Sequence, residues 1–150
     1  MSTSKFTGSF TQQEPLPAAA IDSATAILQS GRLHRYNLAP GEVGEVALLE
    51  REFADWQESR YCLAVASGGQ AIQIALRAAG VVQDDPVLTH AFTLAPVPGA
   101  IHAVGAQPVL VEIDENLRLD FDDLDRKAVA SGARFLLLSH MRGHLCDMDR

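Results

Sequence analysis

At 150 residues the chain is the size of one ordinary domain, since domains typically run to about 100–150 residues. Hydrophobic residues at 47% and charged residues at 21% form a globular ratio, which excludes intrinsic disorder of the whole. Nineteen acidic against twelve basic side chains leave a net charge of −7, the wrong sign for neutralising a nucleic-acid backbone, so no nucleic-acid partner is expected.

The N-terminal MSTSKFTGSFTQQEP is polar and lacks the apolar stretch of a secretory signal. Residues 1 to about 17 show no period and read as a mobile arm. From Ala18 to Gln29, AAAIDSATAILQ has helix-forming composition and stops at Ser30-Gly31. The following GRLHRYNLAPGE is loop-like and groups Arg32, His34 and Arg35, which are expected to face an anion. Val43, Val46, Ala47, Leu49, Phe53 and Trp56, with acids between them, then follow the period of an amphipathic helix.

Tyr61–Ala66 (YCLAVA) is a continuous apolar run and predicts a strand buried on both faces. The helix QAIQIALRAA over Gln70–Ala79 follows, stopped by Gly80. The alternation continues with a strand at Pro86–Thr89, a helix at Leu94–Val104, a strand at Pro108–Ile113, a helix at Phe121–Ala130 and a strand at Arg134–Ser139. Strands alternating with helices predict an α/β fold: a largely parallel sheet with flanking helices. The most apolar stretch, Ala91–Ala106, is broken by Pro96, Pro98, Gly99 and His102 and is too short for a membrane span. Cys62 and Cys146 cannot build a disulfide framework, and a cytoplasmic setting is expected. The last strand and the turn after it leave an unpaired sheet edge, which suggests the front part of a larger protein.

The clearest site is Ala66-Ser67-Gly68-Gly69-Gln70, where an apolar run ends, two glycines allow close backbone approach, and a helix begins. Unpaired N–H groups at a helix N-terminus attract anions, and Ser67 offers a hydroxyl. The pattern lacks the spacing of a Walker loop or of GxGxxG, so a tight turn without a ligand is the plain alternative. Thr89-His90-Ala91-Phe92-Thr93-Leu94 leaves the next parallel strand at the same carboxyl edge, where α/β proteins bind ligands. Phe92 there either covers a planar ring or packs in the core. His140, His144, Cys146 and Asp147 resemble metal ligands by type, but H-x3-H-x-C matches no structural zinc pattern, and no metal is expected. Asp120, Asp122, Asp123 and Asp125 read as solvated residues opening a helix, with Asp120 as its cap. Neither Lys5 nor Lys127 has the desolvated setting of a nucleophile.

In order and content these segments resemble the fold-type-I, pyridoxal-phosphate-dependent DegT/DnrJ/StrS sugar aminotransferases. The likeness runs from about Gly31 to Arg150 through LEREFADW, RYCLAVASGGQAIQIALRAAGV, VLTHAFTLAPVPGAIHAVGAQPVLVEID and LLLSHMRGHLCDMD. Residues 1–35 are then an arm and short helix, and 36–150 the N-terminal part of the large domain. The resemblance implies that Gly68, Gly69 and Gln70 hold the phosphate of pyridoxal 5'-phosphate, at a turn the family usually writes NSGTxA. The Thr hydroxyl of that pattern is missing at Gly69. The family's PSFTFxAT pattern implies a ring stacked on the pyridine, with Phe92 at the first aromatic position and Leu94 at the second. In the family's xHLYGxxxDMD stretch this chain has Met141-Arg142 for the apolar-aromatic pair, which leaves substrate preference open.

The reaction that the resemblance implies is transfer of an amino group from an amino donor to a nucleotide-linked keto sugar, by a homodimer. The Schiff-base lysine and the Asp that protonates the pyridine nitrogen lie downstream of the DMD stretch in the family, so no catalytic residue is assigned and the chain alone is expected to be inactive. A dehydratase relative with His in place of the lysine is equally compatible. The competing readings are a non-catalytic α/β module binding a phosphate or a partner, and a zinc hydrolase built on His140, His144 and Cys146.

Overall fold

The structure, a computed structural model, describes residues 5, 7–9, 11–36 and 38–150, so the arm expected over residues 1–17 lies partly outside the described residues. The chain divides into two compact units, Met1–Ala64 and Val65–Arg150.

The first unit contains two helices. Helix α1 spans Ala18–Ser30 and ends where Gly31 turns left-handed at φ 68°, its N–H returning to the Leu28 carbonyl at 3.2 Å. A side chain at that φ would be strained, which is why glycine stops the helix. Helix α2 spans Glu45–Trp56 and buries only Ala54. The cationic loop between them does not wait for an external anion. Arg32 pairs with Glu42 and Arg35 with Glu50, while His34 stacks on Tyr36 with ring centroids 5.0 Å apart. Glu42, in the segment before α2, and Glu50, on α2, therefore satisfy the two arginines that the sequence offered to a ligand. Glu50 also accepts the Ala64 N–H at 2.8 Å, and that bond, with Arg35, holds its carboxyl below the usual range.

Tyr61–Ala66 does not form the expected strand. It lies outside the sheet, and Tyr61 and Leu63 are exposed. An apolar run becomes a strand only where a neighbour supplies a hydrogen-bond ladder, and no described residue supplies one here.

The second unit runs α3 (Gly68–Ala78), β1 (Pro86–His90), α4 (Pro96–Ala103), β2 (Gln107–Val111), α5 (Phe121–Ser131) and β3 (Phe135–Leu136), then a 3₁₀ turn at Met141–Gly143. The three strands form a parallel sheet in the order β2-β1-β3, with Leu88 opposite Val109 on one side and Leu136 on the other. This is the α/β architecture expected.

Alternating side chains of β1 serve opposite faces. Val87 packs with Leu76, Val81, Ile101 and Ala106, against α3 and α4. Leu88 packs with Val111, Leu119 and Cys146, on the α5 side. Burying each large apolar side chain contributes about 1.5–3 kcal/mol, so the strand is clamped from both faces. The β1-to-β2 connection thus passes over one face and the β2-to-β3 connection over the other. Such a reversal opens a crevice at the carboxyl ends of the strands.

Several bounds differ from expectation. Helix α3 begins at Gly68 rather than Gln70 because Ser67, extended at φ −160°, caps it. Helix α4 begins at Pro96, a residue suited to a first turn. Strand β2 stops at Val111, and Ile113 instead bridges Leu119 antiparallel. Strand β3 is two residues long against six expected, because its ladder to β1 ends with Leu137 N–H on the Leu88 carbonyl at 2.8 Å. Among the described residues no helix is long and apolar enough to cross a membrane.

Candidate functional site

The N-terminus of α3 is built by a reciprocal cap. Ser67 Oγ accepts the Gln70 N–H at 3.2 Å, and Gln70 Oε1 reaches back to accept the Ala66 N–H at 3.1 Å. This close variant of a capping box engages two backbone donors internally. Gln70 N–H, one of three donors assigned to a phosphate, is thereby occupied by Ser67. The Gly68 and Gly69 N–H groups meet no acceptor among the described residues.

Neither glycine is required by the backbone, since neither has a left-handed φ. Neither is enforced by packing. A Cβ on Gly68 would meet nothing within 4 Å, and one on Gly69 only Ser67 Oγ at 4.0 Å. The turn is therefore an open ledge on which two N–H groups and the positive end of an eleven-residue helix face outward. Two hollows lie elsewhere: one of about 720 Å³ between α1 and α2, lined in part by the Arg32–Glu42 and Arg35–Glu50 pairs, and one of about 260 Å³ between α5 and the last residues of the given sequence.

Ile72 and Leu76 of α3 pack with Val87 of β1, and α3 feeds β1 from its C-terminal end. Its N-terminus accordingly lies toward the carboxyl ends of the strands. At that end, Phe92 is half-buried and belongs to neither core cluster, which sets aside simple core packing for it. Its ring stands edge-on to His144, with centroids 6.2 Å apart and planes at 74°. Leu94, the other candidate for covering a planar ring, is 59% exposed.

The same Thr89–Leu94 stretch, singled out in the sequence for its position, also carries buried polar atoms. His90 is 1% exposed, and its Nε2 donates to the Ser139 carbonyl, tying the end of β1 to the residue that opens the next loop. Among the described residues, His90 Nδ1, Thr89 Oγ1 and Thr93 Oγ1 are buried and meet no partner. An unsatisfied buried polar atom costs about 1–3 kcal/mol, and three within five residues mark this edge as different from the rest of the core.

The other candidates separate. Cys146 is buried against Leu88, Val111 and Leu119 and His144 faces Phe92, so the suggested zinc set is not assembled. Among the described residues no three His, Cys, Asp or Glu side chains gather to hold a metal. Asp120 caps α5 as expected, accepting the Asp122 and Asp123 N–H groups. Asp123, expected to be solvated, is 3% exposed. It accepts the Glu112 N–H at 2.7 Å and pairs with Lys127 at 2.9 Å and Arg126 at 3.0 Å. The Glu112 bond first, then Lys127, holds its carboxyl below the ordinary range. The Asp123-to-Lys127 spacing, one helical turn, was the signal available in the sequence. The same contacts explain Lys127: its Nζ is committed to Asp123 and the Leu110 carbonyl.

The parallel three-stranded sheet with its flanking helices places this chain among α/β proteins. The particular family follows from similarity. Residues 17–150 match the DegT/DnrJ/EryC1/StrS aminotransferase family, and the chain belongs to it. A similar relative is the dTDP-3-amino-3,4,6-trideoxy-alpha-D-glucose transaminase of Streptomyces venezuelae, 38% identical over 132 residues, which cover 87% of this chain and 33% of the relative. Among solved structures, S. venezuelae DesV in complex with a ketimine intermediate superposes with a TM-score of 0.69 at 34% identity, over 87% of this chain and 34% of that one. Spr1654 of Streptococcus pneumoniae, in its PMP form, superposes with a TM-score of 0.74 at 23% identity, over 90% of this chain and 32% of that one, a likeness of fold. The chain thus spans about a third of the length of these relatives.

Proposed function

We propose that this chain is the N-terminal part of a pyridoxal-phosphate-dependent aminotransferase acting on a keto sugar, with residues 36–150 contributing to its large domain. The observation that carries the reading is the pair of unengaged N–H groups on Gly68 and Gly69, at a helix N-terminus with open space where side chains would stand. Family membership and the transaminase named among its relatives support the chemistry.

In this reading Gly68 and Gly69 donate to the cofactor phosphate, and the α3 dipole adds about 0.3–1 kcal/mol of attraction. Ser67 and Gln70 act one step back, because their reciprocal bonds hold the first turn in the shape that aims those donors. Phe92 offers the ring that orients the pyridine, and its contact with His144 restricts where that ring lies. When bound, pyridoxal phosphate supplies an electron sink for chemistry at the α-carbon of the amino donor. No residue of this chain is assigned to the covalent or proton-transfer steps. Its two lysines are Lys5 and Lys127, and the latter's ammonium is held by Asp123. The chain alone is therefore inactive. The complete protein works as a homodimer in the cytoplasm, on a keto sugar that is nucleotide-linked, as the dTDP-sugar name of its relative suggests.

The test is to add pyridoxal phosphate to the complete protein and record the cofactor's absorbance, then to supply L-glutamate and follow 2-oxoglutarate. A shifted absorbance band and stoichiometric 2-oxoglutarate are the expected results. A protein that binds the cofactor without releasing 2-oxoglutarate would refute transamination with this donor, and failure to bind it at all would refute the reading as a whole.

A further inference from the structure

The loop that follows β3 is tethered at both ends to the end of β1. It opens at Ser139, whose carbonyl accepts from the buried His90 Nε2, and closes at His144, whose ring meets the edge of Phe92. Between these tethers Arg142 adopts φ 54° and ψ 26°, the left-handed region that a side chain with a Cβ rarely occupies. Strain of this kind persists only where the surroundings over-determine it. Its guanidinium is exposed and, like those of Arg51, Arg60, Arg77, Arg118 and Arg134, meets no carboxylate among the described residues. An unpaired cation held in a costly conformation at the ligand edge of a chain with net charge −7 is suited to capturing an oxyanion. The planar fork of arginine matches a carboxylate or a phosphate with two parallel bonds.

We propose that Arg142 is a specificity-determining residue that binds the oxyanion of a substrate, and that His90 is the positioning residue that holds its loop in place. The inference rests on the functional reading above for the identity of the substrates. The oxyanion belongs either to the carboxylate of the amino donor or to the diphosphate of a nucleotide-linked sugar. His90 can act as described because Nε2–H is fixed as the donor by the carbonyl it meets, leaving Nδ1 as the ring's unprotonated nitrogen in the neutral side chain.

The experiment uses the complete protein, wild type and the variants Arg142→Gln, Arg142→Lys, His90→Leu and His90→Gln. Binding of two probes, dTDP and L-glutamate, is measured by calorimetry with and without pyridoxal phosphate, and cofactor absorbance is recorded separately. Arg142→Gln is expected to weaken one probe at least tenfold with cofactor absorbance unchanged, and Arg142→Lys to weaken it less. Loss confined to dTDP assigns the diphosphate, and loss confined to glutamate assigns the carboxylate. His90→Leu is expected to reproduce part of the same loss, and His90→Gln, whose amide nitrogen sits near the position of Nε2, to restore it. Equal affinity of wild type and Arg142→Gln for both probes, or a wild type that binds neither, overturns the role of Arg142. A His90→Leu protein with wild-type affinity overturns the positioning role. If the wild type fails to take up the cofactor, the functional reading fails, while the dTDP and glutamate comparisons without cofactor still decide the role of Arg142.

Discussion

Replacing Gly69 by Thr adds a hydroxyl at position 69, beside the capping Ser67, and isolates the phosphate contact from everything else. The site has room: a Cβ there approaches only Ser67 Oγ, at 4.0 Å, and the backbone is not left-handed. The fold is therefore expected to tolerate the change. Glycine inside a helix is about 0.8–1.0 kcal/mol worse than alanine and threonine roughly 0.7, so stability rises by a few tenths of a kcal/mol at most. A new hydrogen bond to a charged phosphate contributes about 1.5–3 kcal/mol. At about 1.4 kcal/mol per decade, affinity for pyridoxal phosphate rises roughly 10- to 100-fold. The assay is cofactor titration of the complete protein by absorbance, with pyridoxal, which has no phosphate, run in parallel. The reasoning predicts a gain for pyridoxal phosphate and none for pyridoxal. An equal gain for both, or no gain for either, refutes the placement of the phosphate at Gly68 and Gly69.

Other consequences follow from the packing and the charges. Ile101 is fully buried between α3 and β1, so Ile101→Ala is expected to destabilise the second unit by about 2–5 kcal/mol in urea unfolding. Ser67→Ala removes the α3 cap and is expected to cost about 1 kcal/mol by the same measurement, and to weaken pyridoxal phosphate as the first turn loses its shape. Asp123 has a folded-state carboxyl below its ordinary value of 3.8. Its stabilisation is therefore fully present above that ordinary value and is lost as the pH falls through the folded one. Acid titration of unfolding is expected to show a flatter acid limb for Asp123→Asn than for the wild type, whereas parallel limbs would contradict the burial of that charge.

The sequence was legible where a pattern is local. Gly31 stops α1 through a left-handed φ of 68°, and Asp120 caps α5, both from contacts within a few residues. The parallel direction of β1, β2 and β3 followed from alternation with helices, whereas their order did not. What was not legible depends on distant partners. YCLAVA is apolar enough to be a strand yet has no ladder here, and RFLLLS keeps only Phe135 and Leu136 because its pairing to β1 ends early. Arg32 and Arg35 read as free cations because Glu42 and Glu50 lie 10 and 15 residues away. At the candidate site, composition located the Ser67–Gln70 turn. The commitment of the Gln70 N–H to Ser67, and the bond from His90 to Ser139 across 49 residues, emerged only from the fold.

A crystal structure of the complete protein with pyridoxal phosphate tests the central claim most directly. The account predicts phosphate oxygens within hydrogen-bond distance of both the Gly68 and Gly69 nitrogens. A phosphate bound away from the α3 N-terminus, with those two nitrogens facing only water, would contradict it.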